Sequence, residues 1–178
     1  TPSDTEPETE TTAAPSTEET LPELNTPEDA DLHEGSIIIV GNRAMEICYT
    51  NQENMSLYAT TVSSYAEALP GVRVISLITP NGGEFYSPEE YHSGSMSQKD
   101  MIDSVYSQMD DSVVTVDAYS ELRKHTDRYI FFRTDHHWTQ LGAYYAYTAF
   151  CQSTGLEPVP IEDFETGSFE GFVGSMYT

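Results

Sequence analysis

The chain has 178 residues, with 30 acidic and 7 basic side chains and a formal net charge of −23. This charge excludes a general nucleic-acid-binding protein, because phosphate contacts need clustered Lys and Arg. No stretch approaches the roughly 20 apolar residues of a membrane-spanning helix, so we expect membrane contact only through an N-terminal anchor removed from this chain.

The first 34 residues hold 11 Asp and Glu and no Lys or Arg. Pro, Thr, Ser and Glu dominate this segment, so it has too few apolar side chains to offset its chain entropy by burial. We therefore predict a disordered acidic stalk over residues 1–34 and one folded domain over residues 35–178. Such stalks often lie outside a membrane, and the chain begins at Thr1 rather than Met, so we expect an extracellular or cell-surface protein. An acidic solubilising tail on a cytosolic protein is the alternative.

The domain begins with strand-like and helix-like segments in alternation. Residues 36–40 (SIIIV) are a β-branched apolar run that predicts a buried parallel strand. Apolar side chains at helical spacing predict a helix over residues 53–69. Residues 72–78 are the second predicted strand, and residues 79–94 are a predicted loop rich in Pro and Gly.

The alternation continues to residue 153. Ser97 and Thr139 are good N-caps, and Gly155 ends the last helix. The pattern predicts, in order, a helix, a strand, a short helix, a short strand or extended segment, and a long helix: residues 98–109, 112–116, 117–125, 129–132 and 140–153. Together these elements predict a layered α/β fold with a mainly parallel sheet.

Ligands in such folds lie beyond the carboxyl ends of the strands. Residues 41–45, 79–83 and 117–119 follow the first three predicted strands. Asn42 and Arg43 belong to the first of these segments and are candidate donors to an oxyanion or a substrate carboxylate. A simple turn with a solvated Arg is the alternative.

The segment with the most chemistry is residues 133–139, RTDHHWT, which hold two of the five histidines and the single Trp. An Asp two residues before a His can orient the imidazole through its Nδ1–H and stabilise the imidazolium. Asp135 and His137 are therefore candidate catalytic residues of a triad whose nucleophile is missing. The structural alternative is that His137 and Trp138 pack the helix start while Asp135 caps it.

Two further interpretations concern the neighbours of this pair. Asp135, His136 and His137 are potential metal ligands, but adjacent histidines diverge in regular structure, so we expect no metal and no cofactor. Arg133 is a candidate substrate contact, with a structural salt bridge to Asp135 as its alternative.

The chain has two cysteines, Cys48 and Cys151, each among apolar and aromatic residues. We expect two buried free thiols, with a disulfide as the alternative.

Residues 129–147, YIFFRTDHHWTQLGAYYAY, are far more specific than an isolated D-x-H. They closely resemble the DHHW family of bacterial exported proteins, which is related to SGNH hydrolases and resembles the alginate O-acetyltransferase group with its D-x-H-W-T-x-x-G-A signature. Other segments also look like the family, so the resemblance covers residues 35–178. These segments are GNRAME (41–46), SLITP (76–80), VDAYS (116–120) and FVGSMY (172–177).

The resemblance implies a flavodoxin-like, SGNH-hydrolase-like fold, a three-layer sandwich. It also implies an activity, the hydrolysis or transfer of acyl esters on a cell-surface glycan. It implies that Asp135 orients the imidazole and that His137 is the general base. Candidate substrate or oxyanion contacts around this pair are Asn42, Arg43, Arg133, His136 and Trp138.

The nucleophile is the part of the triad that this chain does not display. In the relatives, the Ser belongs to a DS-type motif after D-x-H; no such motif follows His137, and no Ser follows the first predicted strand. Ser175 is the C-terminal serine to check. Two interpretations stay open: an esterase or acyltransferase whose nucleophile segment is absent from this chain, or a surface glycan- or protein-binding domain without a nucleophile.

Overall fold

A computed structural model describes residues 20–24, 30–33, 35–92 and 96–177. Most of the predicted stalk, residues 1–19, 25–29 and 34, lies outside this part of the chain. The described residues form a mixed α/β structure with one three-stranded antiparallel sheet, one two-stranded parallel sheet and five α-helices.

The antiparallel sheet contains β1 (Ala30–His33), β2 (Ile37–Val40) and β3 (Arg43–Glu46), in that order. The parallel direction predicted for residues 36–40 is therefore wrong. The physical reason is the two-residue connection after β2, where Gly41 takes a φ of 58°, because so short a link joins only antiparallel strands. Strand β1 starts at Ala30, within the segment predicted to be a stalk.

The parallel sheet contains β4 (Ile75–Leu77) and β5 (Val114–Val116), paired in register from Ile75 with Val114. These strands confirm the second and third predicted strands, the second shortened at both ends and the third at its start. Helix α1 (Gln52–Ala68) precedes β4 and packs against α3.

Helix α2 (Gly83–Tyr86) was not predicted, because it lies in the Gly-rich segment expected to be a loop. All four of its residues are buried, and Phe85 is 1% exposed. A 3₁₀ turn, Glu89–Tyr91, follows it. Tertiary burial rather than local periodicity therefore stabilises this helix.

The remaining helices agree with the predicted ones, and each starts at a side-chain cap. They are α3 (Gln98–Tyr106), α4 (Ala118–Arg123) and α5 (Gln140–Thr154), capped by Ser97, Asp117 and Thr139. Gly155 ends α5 with a φ of 74°. A 3₁₀ turn, Ile161–Asp163, is followed by irregular chain to residue 177.

Two apolar clusters form the core. The larger joins β2, β3 and α2 to Leu122, Ile130 and Phe131, and the smaller joins β5 and the start of α4 to α5. Trp138 packs against both clusters, so it connects the segment before α5 to the whole core.

Both cysteines are free thiols, as predicted. Cys151 is buried, whereas Cys48 is only half-buried. Burial raises the pKa of the Cys48 thiol, and the nearby carboxylates of Glu84 and Glu46 add to the effect. Within the described ranges, no helix is both long and apolar enough to cross a membrane.

Candidate functional site

The sequence RTDHHW lies in a short loop, residues 131–138, which we call the site loop. Phe131 and Trp138 pair across its base in an antiparallel bridge. The Phe132 N–H donates to the His137 carbonyl at 3.2 Å, and the Ala44 N–H donates to the Arg133 carbonyl at 2.7 Å. The loop is thus held at its base and tied to β3 at its side.

The start of α5 fixes the other end of the site loop. The Thr139 hydroxyl donates to the Tyr129 carbonyl at 2.6 Å and accepts from the Gly142 N–H at 3.3 Å. A Cβ on Gly142 would overlap the Ile130 carbonyl oxygen. The Thr-x-x-Gly part of the signature therefore allows the first turn of α5 to pack directly on the chain before the loop.

Asp135 and His137 form the predicted pair. Oδ1 of Asp135 lies 2.6 Å from Nδ1 of His137 and also accepts the His137 backbone N–H at 2.9 Å. A carboxylate accepts here, so Nδ1 is the protonated ring nitrogen. The Asp135 side chain is 12% exposed and that of His137 is 66% exposed. Among the described residues, none hydrogen-bonds Nε2 of His137.

The other oxygen of Asp135 is bound by the chain near its end. Both the backbone N–H and the hydroxyl of Ser175 donate to Oδ2, each at 2.9 Å. Four hydrogen-bond donors together hold the pKa of Asp135 well below its usual range, although burial of the carboxylate opposes them. The Ser175 N–H has the largest effect, and the other donors are the His137 N–H, the His137 ring and the Ser175 hydroxyl. The carboxylate is therefore ionised at neutral pH.

We call residues 172–176 the C-terminal strap. It runs along the site loop, with the Gly174 N–H donating to Thr134 Oγ1 at 3.1 Å and the Met176 N–H donating to the Thr134 carbonyl at 3.0 Å. The Phe172 ring stacks on Phe132 with the ring centroids 4.6 Å apart. The strap is thus part of the site, although it lies about 40 residues from the loop in sequence.

Asn42 and Arg43 do not join the pair. Asn42 is exposed in the turn between β2 and β3, not at the carboxyl end of a parallel strand. The Arg43 guanidinium carbon lies 4.2 Å from the centre of the Tyr86 ring, and Nη1 donates to the Phe131 carbonyl at 3.4 Å. Burial lowers the pKa of Arg43. Arg43 therefore links β3 to the base of the site loop.

Arg133 is exposed, with its guanidinium carbon 5.8 Å from the centre of the Tyr129 ring. The ion pairs formed among the described residues do not include one between Arg133 and Asp135. The structural alternative for Arg133 is therefore not observed, and its guanidinium remains open to solvent beside the loop.

The two histidines lie closer together than the sequence argument expected. Their ring centroids are 4.1 Å apart with the planes tilted by 37°, because the site loop is irregular. One potential ligand atom from each of Asp135, His136 and His137 lies within 4.8 Å of the others. These residues have the geometry to share an ion, although both oxygens of Asp135 already accept hydrogen bonds.

Ser175 is the site residue whose role the sequence did not reveal. Its hydroxyl binds Oδ2 of Asp135 and lies 3.4 Å from Nδ1 of His136. The segment FVGSMY signalled that this region belongs to the family pattern, but no local motif indicates a contact 40 residues away.

Comparisons with known proteins identify the family of this chain. The family model described as DHHW protein matches residues 6–178. A crystal structure of a DHHW family protein from Eubacterium siraeum is 32% identical, with a TM-score of 0.74 over 86% of this chain and 51% of that chain. The chain thus spans about half the length of that relative. No curated protein shows significant similarity to the present chain. From the sequence match and the shared fold, the chain belongs to the DHHW family.

Proposed function

We propose that Asp135 and His137 are the orienting acid and general base of a serine-dependent site that hydrolyses or transfers O-acyl groups on a bacterial cell-surface glycan. The observation that carries this proposal is the 2.6 Å contact between Asp135 Oδ1 and His137 Nδ1. A carboxylate on Nδ1 keeps that nitrogen protonated, which leaves the lone pair of Nε2 to accept a proton.

The exposure of the pair supports this assignment. Two-thirds of the His137 side-chain surface is open, while Asp135 is largely covered. Nε2 is thus available to a hydroxyl, which a general base must approach to about 3 Å. The arrangement of a covered orienting acid and an open base is the one that general-base catalysis requires.

The mechanism follows from this arrangement. As a serine Oγ attacks the carbonyl carbon of the acyl ester, His137 Nε2 takes the hydroxyl proton and Asp135 stabilises the imidazolium. His137 then gives the proton to the departing alcohol oxygen, which leaves an acyl-enzyme. Water or a glycan hydroxyl then attacks the acyl carbonyl carbon while His137 Nε2 accepts its proton, and His137 returns that proton to the serine Oγ as the acyl–Oγ bond breaks. Backbone N–H groups or Asn side chains are the expected donors to the oxyanion.

The serine is proposed to come from a part of the full-length protein outside this chain. Ser175 contacts Asp135 rather than Nε2 of His137, and the aligned relative is about twice as long as the matched region. The same length leaves room for further strands. Since a two-stranded sheet is marginal alone, we propose that β4 and β5 belong to a larger, mainly parallel sheet in an SGNH-like three-layer sandwich.

Extracellular or cell-surface location is part of the proposal. Its support is the Thr-, Pro- and Glu-rich composition of residues 1–34. Among the described residues no serine hydroxyl binds Nε2 of His137, and this favours, as the second candidate, a glycan- or protein-binding domain that retains the pair without a nucleophile.

The test is hydrolysis of p-nitrophenyl acetate and of an O-acetylated oligosaccharide by this chain and by the full-length protein. His137→Ala should reduce the full-length rate by about 10²–10⁴-fold, the usual contribution of a positioned base. His92→Ala is the control, because it removes an imidazole that lies outside the site loop, against the Ser87 carbonyl, and should change the rate little.

Each outcome decides between the candidates. Activity in the full-length protein but not in this chain would place the nucleophile outside residues 1–178. Equal activity of the His137→Ala and unsubstituted proteins would refute the role of His137. A full-length protein that binds the oligosaccharide without hydrolysing either ester would support the binding domain.

A further inference from the structure

We infer that Ser175 is a positioning residue of the Asp135–His137 pair, through which the C-terminal strap holds the base in its reactive tautomer. The catalytic consequence rests on the proposed function, whereas the tautomer is a property of the folded chain. Ser175 is thereby assigned a role other than nucleophile.

Asp135 accepts four hydrogen bonds, two on each carboxylate oxygen. Two groups of Ser175 bind Oδ2, each at 2.9 Å, and two groups of His137 bind Oδ1, at 2.6 and 2.9 Å. A carboxylate bound at only one oxygen can rotate and exchange its oxygens. With both oxygens bound, its plane is fixed, and Oδ1 stays directed at the imidazole.

The strap lies so close to the site loop that a Cβ does not fit at position 174. A Cβ on Gly174 would overlap the Thr134 carbonyl oxygen and lie 2.6 Å from Asp135 Cβ. Thr134 binds the strap on either side of Ser175, through the N–H groups of Gly174 and Met176. Glycine at 174 thus lets the strap lie in a register that places Ser175 on the carboxylate.

The contacts of the Ser175 hydroxyl distinguish a positioning role from nucleophilic attack. The base that activates a nucleophile is Nε2 of His137, because Nδ1 is taken by Asp135. The Ser175 hydroxyl donates to Asp135 and lies 3.4 Å from His136. A hydroxyl that donates to the orienting carboxylate stabilises its charge, and that charge selects the Nδ1–H form of the ring.

The test is the tautomer ratio of His137, from ¹⁵N NMR of the ring nitrogens at about pH 8.5, where an ordinary imidazole is neutral. The unsubstituted chain should hold mainly the Nδ1–H form. Ser175→Ala removes the hydroxyl donor while the backbone N–H of residue 175 stays on Oδ2, so the ratio of Nδ1–H to Nε2–H should fall about threefold, with the roughly tenfold worth of one full hydrogen bond as the upper bound. Ser175→Thr keeps a hydroxyl and should restore most of the ratio.

Ser168→Ala is the matched control, since Ser168 is an exposed serine of the same C-terminal segment and should leave the ratio unchanged. Unchanged amide spectra away from the strap would show that Ser175→Ala is folded. A ratio in Ser175→Ala equal to that of the unsubstituted chain would overturn the inference. So would covalent labelling of Ser175 by phenylmethylsulfonyl fluoride, which would make it a nucleophile. Loss of esterase activity in the full-length protein would bear on the proposed function and leave this result unaffected.

Discussion

Gly174→Ala should detach the C-terminal strap without altering any side chain of the Asp135–His137 pair. Gly174 has room for hydrogen only, because Thr134 and Asp135 lie directly against its Cα. The substitution therefore separates the contribution of the strap from that of the pair itself.

The magnitude follows from the distances. An added Cβ would overlap the Thr134 carbonyl oxygen and lie 2.6 Å from Asp135 Cβ, against 3.4 Å for an ordinary contact, so the strap must retreat by at least about 0.8 Å. The 2.9 Å bonds from Ser175 to Asp135 would then exceed the roughly 3.5 Å limit of a hydrogen bond. We expect the four strap-to-loop hydrogen bonds of 3.1 Å or less to break, together with the 3.4 Å contact between the Ser175 hydroxyl and His136.

The loss of global stability should nevertheless be small. Two neutral hydrogen bonds at about 1 kcal/mol each and two to the Asp135 carboxylate at about 1.5–3 kcal/mol each contribute about 5–8 kcal/mol, and the backbone freedom regained by three residues, about 1–2 kcal/mol each, offsets about 3–6 kcal/mol of it. We expect the free energy of unfolding to fall by about 2 kcal/mol. The pKa of Asp135 should rise towards its ordinary value of about 3.9, because its Ser175 donors are lost.

Carboxyl ¹³C NMR titration measures the pKa of Asp135, and limited chymotrypsin digestion after Phe172 reports detachment. The control is Gly167→Ala, a position with open space around its Cα. Unchanged titration of Asp135 together with unchanged digestion in Gly174→Ala would refute the claim that the strap needs glycine at this position.

Three further predictions concern stability. Gly142→Ala should lower the free energy of unfolding in urea by about 1–3 kcal/mol, because its Cβ overlaps the Ile130 carbonyl in a packed region; an unchanged midpoint would contradict this. Tyr106→Phe should destabilise the fold by about 1–3 kcal/mol, because its hydroxyl accepts from the Ile78 N–H at 2.8 Å and donates to a β5 carbonyl at 3.1 Å; a loss under about 0.5 kcal/mol would show that these groups find other partners. The pKa of Asp135 is lowered in the folded chain, so its carboxylate stabilises the fold above the unfolded-state pKa of about 3.9, and this stability is lost as pH falls through the folded-state pKa. The difference in unfolding free energy between the unsubstituted chain and Asp135→Asn should therefore shrink in acid. A difference that stays constant with pH would contradict this prediction.

Features encoded by neighbouring residues were predicted well. The predicted caps of α3 and α5, Ser97 and Thr139, accept an N–H three residues ahead, and such local bonds are visible as sequence spacing. The Asp135–His137 contact spans two residues and was predicted for the same reason.

Features that depend on tertiary contacts were missed. Helix α2 follows Asn81-Gly82, has no apolar period, and is stabilised by burial of Phe85. The sequence around β2 contains two conflicting signals. Its continuous apolar run indicates a parallel strand, whereas the Gly41-Asn42 pair that follows indicates a hairpin, and the strand is antiparallel. Ser175 contacts Asp135 across 40 residues, a distance over which no local pattern carries information.

The long sequence separations around the site loop have a kinetic consequence. Arg43 binds the Phe131 carbonyl across 88 residues, and Ser175 binds Asp135 across 40. Closing loops of this length costs chain entropy before any contact repays it. We therefore expect local helices such as α1 and α5 to form early in folding and the site to assemble late. Destabilising substitutions in the strap should mainly accelerate unfolding, with φ-values near zero.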